Sequence, residues 1–162
     1  MVRATPRHPT GCTAHLRLGA LWPHGLGAMA GGAEAAARWD EWLVADLLIW
    51  EPGRRYRVWH DRAVFHFLTT PGDRRQYLHA LGSATEPGAA AVIGCFAPDG
   101  PPRCPGLPVA RYRPPELADQ LGSEWKLIGQ ACEEHLTPAG VVQPFTWAAL
   151  RKQPSPATSP RR

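Results

Sequence analysis

Two places in this chain gather side chains that can hold a polar ligand or move a proton. Asp46 follows the apolar run Trp42-Leu43-Val44-Ala45 and is itself followed by Leu47-Leu48. His60-Asp61-Arg62 closes a second run, Tyr56-Arg57-Val58-Trp59, and His66 stands a little beyond it between Phe65 and Phe67. An imidazole titrates near pH 6.5 and a carboxylate accepts hydrogen bonds, so His60, Asp61 and His66 are candidates for general-base work. The same residue types also do plainer jobs. An acid such as Asp46 serves as a loop acid or helix N-cap, Asp61-Arg62 as an ion pair, and a histidine between phenylalanines as a half-buried packing residue.

The elements that must position these groups follow from patterning. Trp42–Leu48 reads as a short buried strand delivering Asp46 to a loop, and Tyr56–Arg62 as a second strand ending in polar groups. Ala63–Leu68 continues it as an apolar loop or helical turn. Asp73–Ala84 is a helix, with Tyr77, Leu78 and Leu81 on its apolar side and Glu86-Pro87-Gly88 as its stop. Ala89–Phe96 is apolar without alternation, the pattern of a strand buried on both faces in a parallel sheet. After a Pro/Gly-rich loop, Ala97–Pro108, a short helix spans Pro115–Leu121. Trp125–Glu133 and Val141–Leu150 are two strands close enough to pair as an antiparallel hairpin. The order is that of an α/β sheet finishing in a hairpin. Residues 1–30 show no clear period, and Ala28–Arg38 is a short Ala-rich helix candidate.

The chain has 162 residues, 18 Lys+Arg, 14 Asp+Glu and a formal charge of +4, with 44% hydrophobic residues. That length and composition fit one soluble domain with a single core. The two ends carry seven cations and no acid before Glu34 or after Leu150, which leaves the body between them at −3. A mildly acidic body without a Lys/Arg stripe argues against a nucleic-acid groove. No apolar stretch approaches the ~20 residues of a membrane helix, and no export signal is evident, so the reading is cytoplasmic with no membrane partner. Cys12, Cys95, Cys104 and Cys132 contain no C-x-x-C pair, and no histidine stands at a zinc-like spacing from them, so no metal is expected. The glycines around Gly25-Leu26-Gly27 have no clean strand before them and no Lys-Ser/Thr after them, which excludes a P-loop.

The segment Arg57-Val58-Trp59-His60-Asp61-Arg62-Ala63-Val64-Phe65-His66-Phe67-Leu68-Thr69 resembles the fourth strand and following loop of class I S-adenosylmethionine-dependent methyltransferases. The resemblance continues through Phe96-Ala97-Pro98-Asp99-Gly100-Pro101, Glu134-His135-Leu136-Thr137-Pro138 and Gln143-Pro144-Phe145, and covers about two thirds of the chain. It implies a seven-stranded Rossmann-like sheet ending in an antiparallel hairpin, with S-adenosylmethionine as cofactor and a small-molecule methyl acceptor. It also implies roles. Asp46 and Leu47 would stand where the adenine is held, and Trp59 beside the methionine end of the cofactor. Arg62 and Phe65 would line the substrate side, and His60, Asp61 and His66 would be the catalytic candidates. Methyl transfer from a sulfonium is an in-line displacement, so holding acceptor and methyl in line supplies much of the rate, and a base is needed only for a protonated acceptor.

The chain departs from the family before Asp46. The family's acidic Gly-x-Gly turn and its ribose-binding acid have no counterpart, and 45 residues precede Asp46 where the two missing strand-helix units would take on the order of 60. The expectation is a partial sheet whose first two strands are missing or degenerate, in a truncated chain with impaired cofactor binding. It divides into an atypical or disordered segment 1–33, a methyltransferase-like domain 34–152 and a disordered basic tail 153–162. A non-catalytic remnant or interaction module, pairing as a homo-oligomer through an exposed sheet edge, is the alternative.

Overall fold

The computed structural model describes residues 2–6, 13–18, 41–104 and 106–154. In chain order the elements are β1 (Val2–Pro6), β2 (Thr13–Leu18), β3 (Glu41–Asp46), β4 (Tyr56–Arg62), a 3-10 turn (Phe65–Phe67), α1 (Pro71–Ser83) and β5 (Thr85–Phe96). They continue with β6 (Arg103–Cys104), β7 (Leu107–Pro108), α2 (Pro114–Leu121), β8 (Trp125–Leu136) and β9 (Val142–Lys152). Seven strands form one sheet in the order β3-β2-β1-β4-β5-β9-β8, and β6 and β7 form a small separate pair. The candidate helix Ala28–Arg38, Cys12 and the end of the basic tail lie outside the described residues.

The half of the sheet from β4 onward matches its sequence closely. β4 and β5 are parallel, with Trp59 opposite Ala91 and Asp61 opposite Ile93, and α1 connects them. α1 begins at Pro71 rather than Asp73, because the Thr70 hydroxyl accepts the Asp73 N–H at 3.1 Å and a proline is tolerated in the first turn. α2 starts on Pro114-Pro115, where Glu116 accepts from the Arg113 N–H at 2.8 Å. β8 and β9 are longer than the sequence suggested and pair from Trp125↔Lys152 to Leu136↔Val142, with a bulge at Ile128. Gly140, at φ 77°, supplies the left-handed residue of their turn.

Both helices pack on one face of the sheet. Tyr77 and Leu81 from α1 and Leu117 and Leu121 from α2 share a core with Trp59, Ala91, Ile93, Ala148 and Leu150. The expectation that β5 is buried on both faces holds at its C-terminal end only. Ala91, Ile93 and Cys95 are fully buried on one face, while on the other Gly94 and Phe96 are buried and Ala90 and Val92 are only partly covered. β5 is parallel to β4 alone; its other neighbour, β9, is antiparallel.

The N-terminal half is the larger correction. Residues 2–6 and 13–18, within the segment read as lacking regular elements, are strands that fill the places between β3 and β4. β1 is parallel to β4 and antiparallel to β2, and β2 is antiparallel to β3. β3 therefore has a strand partner on its inner side, with Thr13 opposite Asp46. Among the described residues no helix is long and apolar enough to cross a membrane.

Candidate functional site

β1, β4 and β5 are parallel, and β3, reversed twice through β2, runs the same way. Their C-terminal ends, at Pro6, Asp46, Arg62 and Phe96, therefore lie along one edge of the sheet. That is the edge where open α/β sheets bind ligands, beside the point at which strand order reverses, here between β1 and β4. Asp46 and Arg62 are separated by three strand spacings of about 4.8 Å each. The span suits an extended small molecule.

The sequence candidates divide at this edge according to strand alternation. Trp59 and Asp61 point to the helix-covered face and are fully buried. The Asp61 carboxylate accepts from the Val64 N–H at 2.9 Å, the Phe65 N–H at 3.1 Å and the Tyr77 hydroxyl at 2.7 Å, and the Trp59 indole N–H donates to the same hydroxyl at 2.9 Å. Three donors fold the chain after β4 around one carboxylate. Burial pushes the Asp61 pKa up to about 6 against the lowering effect of those hydrogen bonds. The Tyr77 hydroxyl is held well above its ordinary value by the same burial and by the adjacent carboxylate.

His60 and Arg62 point to the other face. His60 packs beside Trp147, with ring centroids 5.8 Å apart. The Arg62 guanidinium lies 5.4 Å from the Phe145 centroid and 5.8 Å from that of Trp147, bonds Glu133 at 3.2 Å, and stands 3.1 Å from His135 Nδ1. Glu133 also accepts the Trp147 indole N–H at 2.7 Å. Asp61 and Arg62 are therefore not an ion pair; they work on opposite faces. Arg62 reaches β8 because β5 carries Gly94 between them, where a Cβ would lie 2.7 Å from the Trp147 ring.

The remaining candidates are mostly packing residues. Leu47 and Phe65 belong to the core and are at most 1% exposed, as is Trp59, so none of the three presents a surface to cofactor or substrate in this structure. Asp46 is partly exposed, and its Oδ1 accepts the Leu48 N–H at 3.0 Å, a local turn contact that leaves acceptor capacity toward the edge. His66 is fully buried between Phe67 and Phe96, at ring distances of 4.5 and 4.7 Å, and neither ring nitrogen has a hydrogen-bond partner among the described residues. Burial lowers its pKa to about 4, so the ring is neutral. Tyr77, Glu133 and Trp147 were absent from the sequence reading of the site. Tyr77 was legible only as an apolar helix position, and the other two require knowing which β8 and β9 residues face β4.

No family model and no curated protein matches the sequence. Solved structures do. The 1,6-didemethyltoxoflavin-N1-methyltransferase of Burkholderia thailandensis, with 1,6-didemethyltoxoflavin and S-adenosylhomocysteine bound, is similar at a TM-score of 0.56 and 20% identity, over 75% of this chain and 56% of that one. A structure describing the conversion of a disulfide bond into a thioacetal group during echinomycin biosynthesis gives 0.55 and 18%, over 77% and 61%. The N-methyltransferase NodS of Bradyrhizobium japonicum WM9 gives 0.52 and 13%, over 68% and 58%. The chain thus spans about three fifths of the length of these neighbours. They are class I S-adenosylmethionine-dependent methyltransferases, and this chain has a methyltransferase fold.

Proposed function

We propose that the chain is a methyltransferase-type protein acting on a small molecule, with its binding of S-adenosylmethionine weakened. The observation that carries this reading is the seven-stranded order, with the ends of β1, β3, β4 and β5 on one edge bearing Asp46 and Arg62. Ligands of open α/β sheets bind at such an edge.

The residues present fit the cofactor only in part. When bound, it supplies an electrophilic methyl group on sulfur. Asp46 has the acceptor capacity to hold an adenine amino group. The fold class, however, grips a nucleotide-like ligand at the turn between its first strand and the helix that follows, where the helix N-terminus presents backbone N–H groups. Here β1 is followed after six residues by β2, antiparallel to it, so the chain returns as a strand at that point. A crossover with a helix takes a dozen or more residues. The fit is incomplete, and no reaction step is derived through the cofactor.

The same hairpin favours a second reading, a non-catalytic methyltransferase-like module that binds a partner, with edge strand β8 open to a second chain. Calorimetric titration with S-adenosylhomocysteine separates the two. Saturable binding that Asp46→Ala weakens at least about tenfold supports the first. No heat at millimolar ligand, where a Kd of ~1 mM is still worth about −4 kcal/mol, sinks it and leaves the second.

A further inference from the structure

We propose that His66 anchors a small-molecule site at the loop end of β4 and β5, and that the site takes a planar aromatic ligand carrying a hydroxyl or a ring N–H. That this ligand is the methyl acceptor rests on the function proposed above; that the site exists does not.

The first support is the histidine itself. A buried polar side chain is nearly always hydrogen-bonded in a native structure, and one that is not calls for an explanation. His66 is fully buried with both ring nitrogens unpartnered among the described residues. A neutral imidazole has one N–H to give and one lone pair to receive. The groups that satisfy it are neutral ones, such as a phenolic hydroxyl or a heteroaromatic N–H, and not a free carboxylate or ammonium.

The second support is the surroundings. Phe67 meets the imidazole edge-to-face, Phe96 lies tilted against it, and Phe145 stands 5.0 Å behind Phe96. Aromatic walls favour a flat ring in offset or edge-on contact. Phe145 in turn touches the half-buried Arg62 and His135, so polar groups border the aromatic cluster.

The third support is how His66 is covered. It sits on a three-residue 3-10 turn that follows Ala63, a non-glycine residue at φ 65°. Such backbone strain persists where the surroundings enforce it and is common at ligand clamps and switch regions. Across from the turn, the Ala110 N–H donates to the His66 carbonyl at 2.8 Å, which ties on residues 109–112 that follow β7.

The test is a titration of the full chain with phenol, followed through the ring nitrogen resonances of its seven histidines. One histidine signal, the one absent from His66→Phe, is expected to shift saturably. Toluene, which has the ring without the hydroxyl, is expected to bind at least about tenfold more weakly, because a site built to hydrogen-bond rejects an analogue that cannot. His66→Phe is expected to lose phenol binding and to gain about 2–4 °C in Tm, since two unsatisfied nitrogens leave the interior. The proposal is overturned by a stationary His66 signal in the folded protein, or by equal phenol binding in His66→Phe. Where the larger ring of His66→Phe overpacks the turn and the variant folds poorly, His66→Leu takes its place in the same comparison, and phenol binding that survives in it overturns the proposal. Phenol binding without S-adenosylhomocysteine binding would overturn the methyl-transfer reading and keep this site; the reverse result would keep that reading and remove this site.

Discussion

Asp61 and His66 lie five residues apart and titrate in opposite directions. Asp61 has its folded pKa raised to about 6, so the folded state holds its proton more tightly than the unfolded chain does. Stability from that group is fully present below the unfolded value near 4 and is lost as pH rises through 6, by on the order of 3 kcal/mol. His66 has its pKa lowered to about 4, so its contribution is present above pH 6.5 and is lost as pH falls through 4, by a similar amount. The two slopes nearly cancel in the native protein between pH 4 and 6. Asp61→Asn should therefore unmask a stability that climbs with pH over this range, and His66→Phe one that declines. Urea midpoints at pH 4, 5, 6 and 7 read both slopes, and parallel curves for the three proteins would show that neither group titrates as its burial dictates. Gly94 allows a third test. A methyl group there would press on the Trp147 ring, so Gly94→Ala should cost about 1–3 kcal/mol and disturb the indole fluorescence. A neutral result in both measurements would mean that Trp147 does not lie across β5.

At the level of elements, the βαβ unit and the C-terminal hairpin are held together by side chains that local patterning does not reveal. Lys152, near the end of β9, donates to the carbonyl oxygens of Gly82 and Thr85 at 2.7 and 3.1 Å and so caps the C-terminal end of α1. Lys152→Met keeps the aliphatic stem and removes these bonds, and should lower stability by about 1 kcal/mol. An unchanged urea midpoint would assign those carbonyls to solvent. Elements with strong periodicity or a cap in the sequence were legible: β4, α1, β5, α2 and the hairpin all stand within a few residues of their expected places. β2 was legible in part, since Ala14, Leu16 and Leu18 alternate with His15 and Arg17, yet its shortness and the surrounding Gly, Pro and His hid the period. The site was less legible because its membership depends on which face each side chain takes. Alternation along β4 separates Trp59 and Asp61 from His60 and Arg62, whereas the sequence motif runs through all four without a break.

Across the whole molecule, the core and the exposed edge of the sheet are held differently. α1 and α2 cover β4, β5 and β9 with a continuous core, and the most deeply buried strand residues, Ala91, Ile93, Cys95, Ala148 and Leu150, lie there. On the other side of β4, β1 joins in parallel and β2 and β3 follow by antiparallel pairing, and at the opposite edge β8 leaves Cys132, Glu134 and Leu136 exposed. Local opening takes least free energy where few apolar contacts must be broken. Hydrogen exchange should therefore be slowest at Ala91–Cys95 and Trp147–Leu150 and measurably faster at Cys132–Leu136 of edge strand β8, with at least about tenfold between them, a difference of 1.4 kcal/mol in opening free energy. The contrast reaches the site, because Arg62 on core-backed β4 bonds Glu133 on that edge strand at 3.2 Å. If S-adenosylhomocysteine binds through Asp46, adding it should slow exchange selectively in β2 and β3, whereas an aromatic ligand at His66 should slow it around residues 63–68 and 109–112. Equal protection of β5, β9 and β8 before any ligand is added would mean that the exposed edge strand is as firmly held as the core, and the contrast drawn from burial would fail.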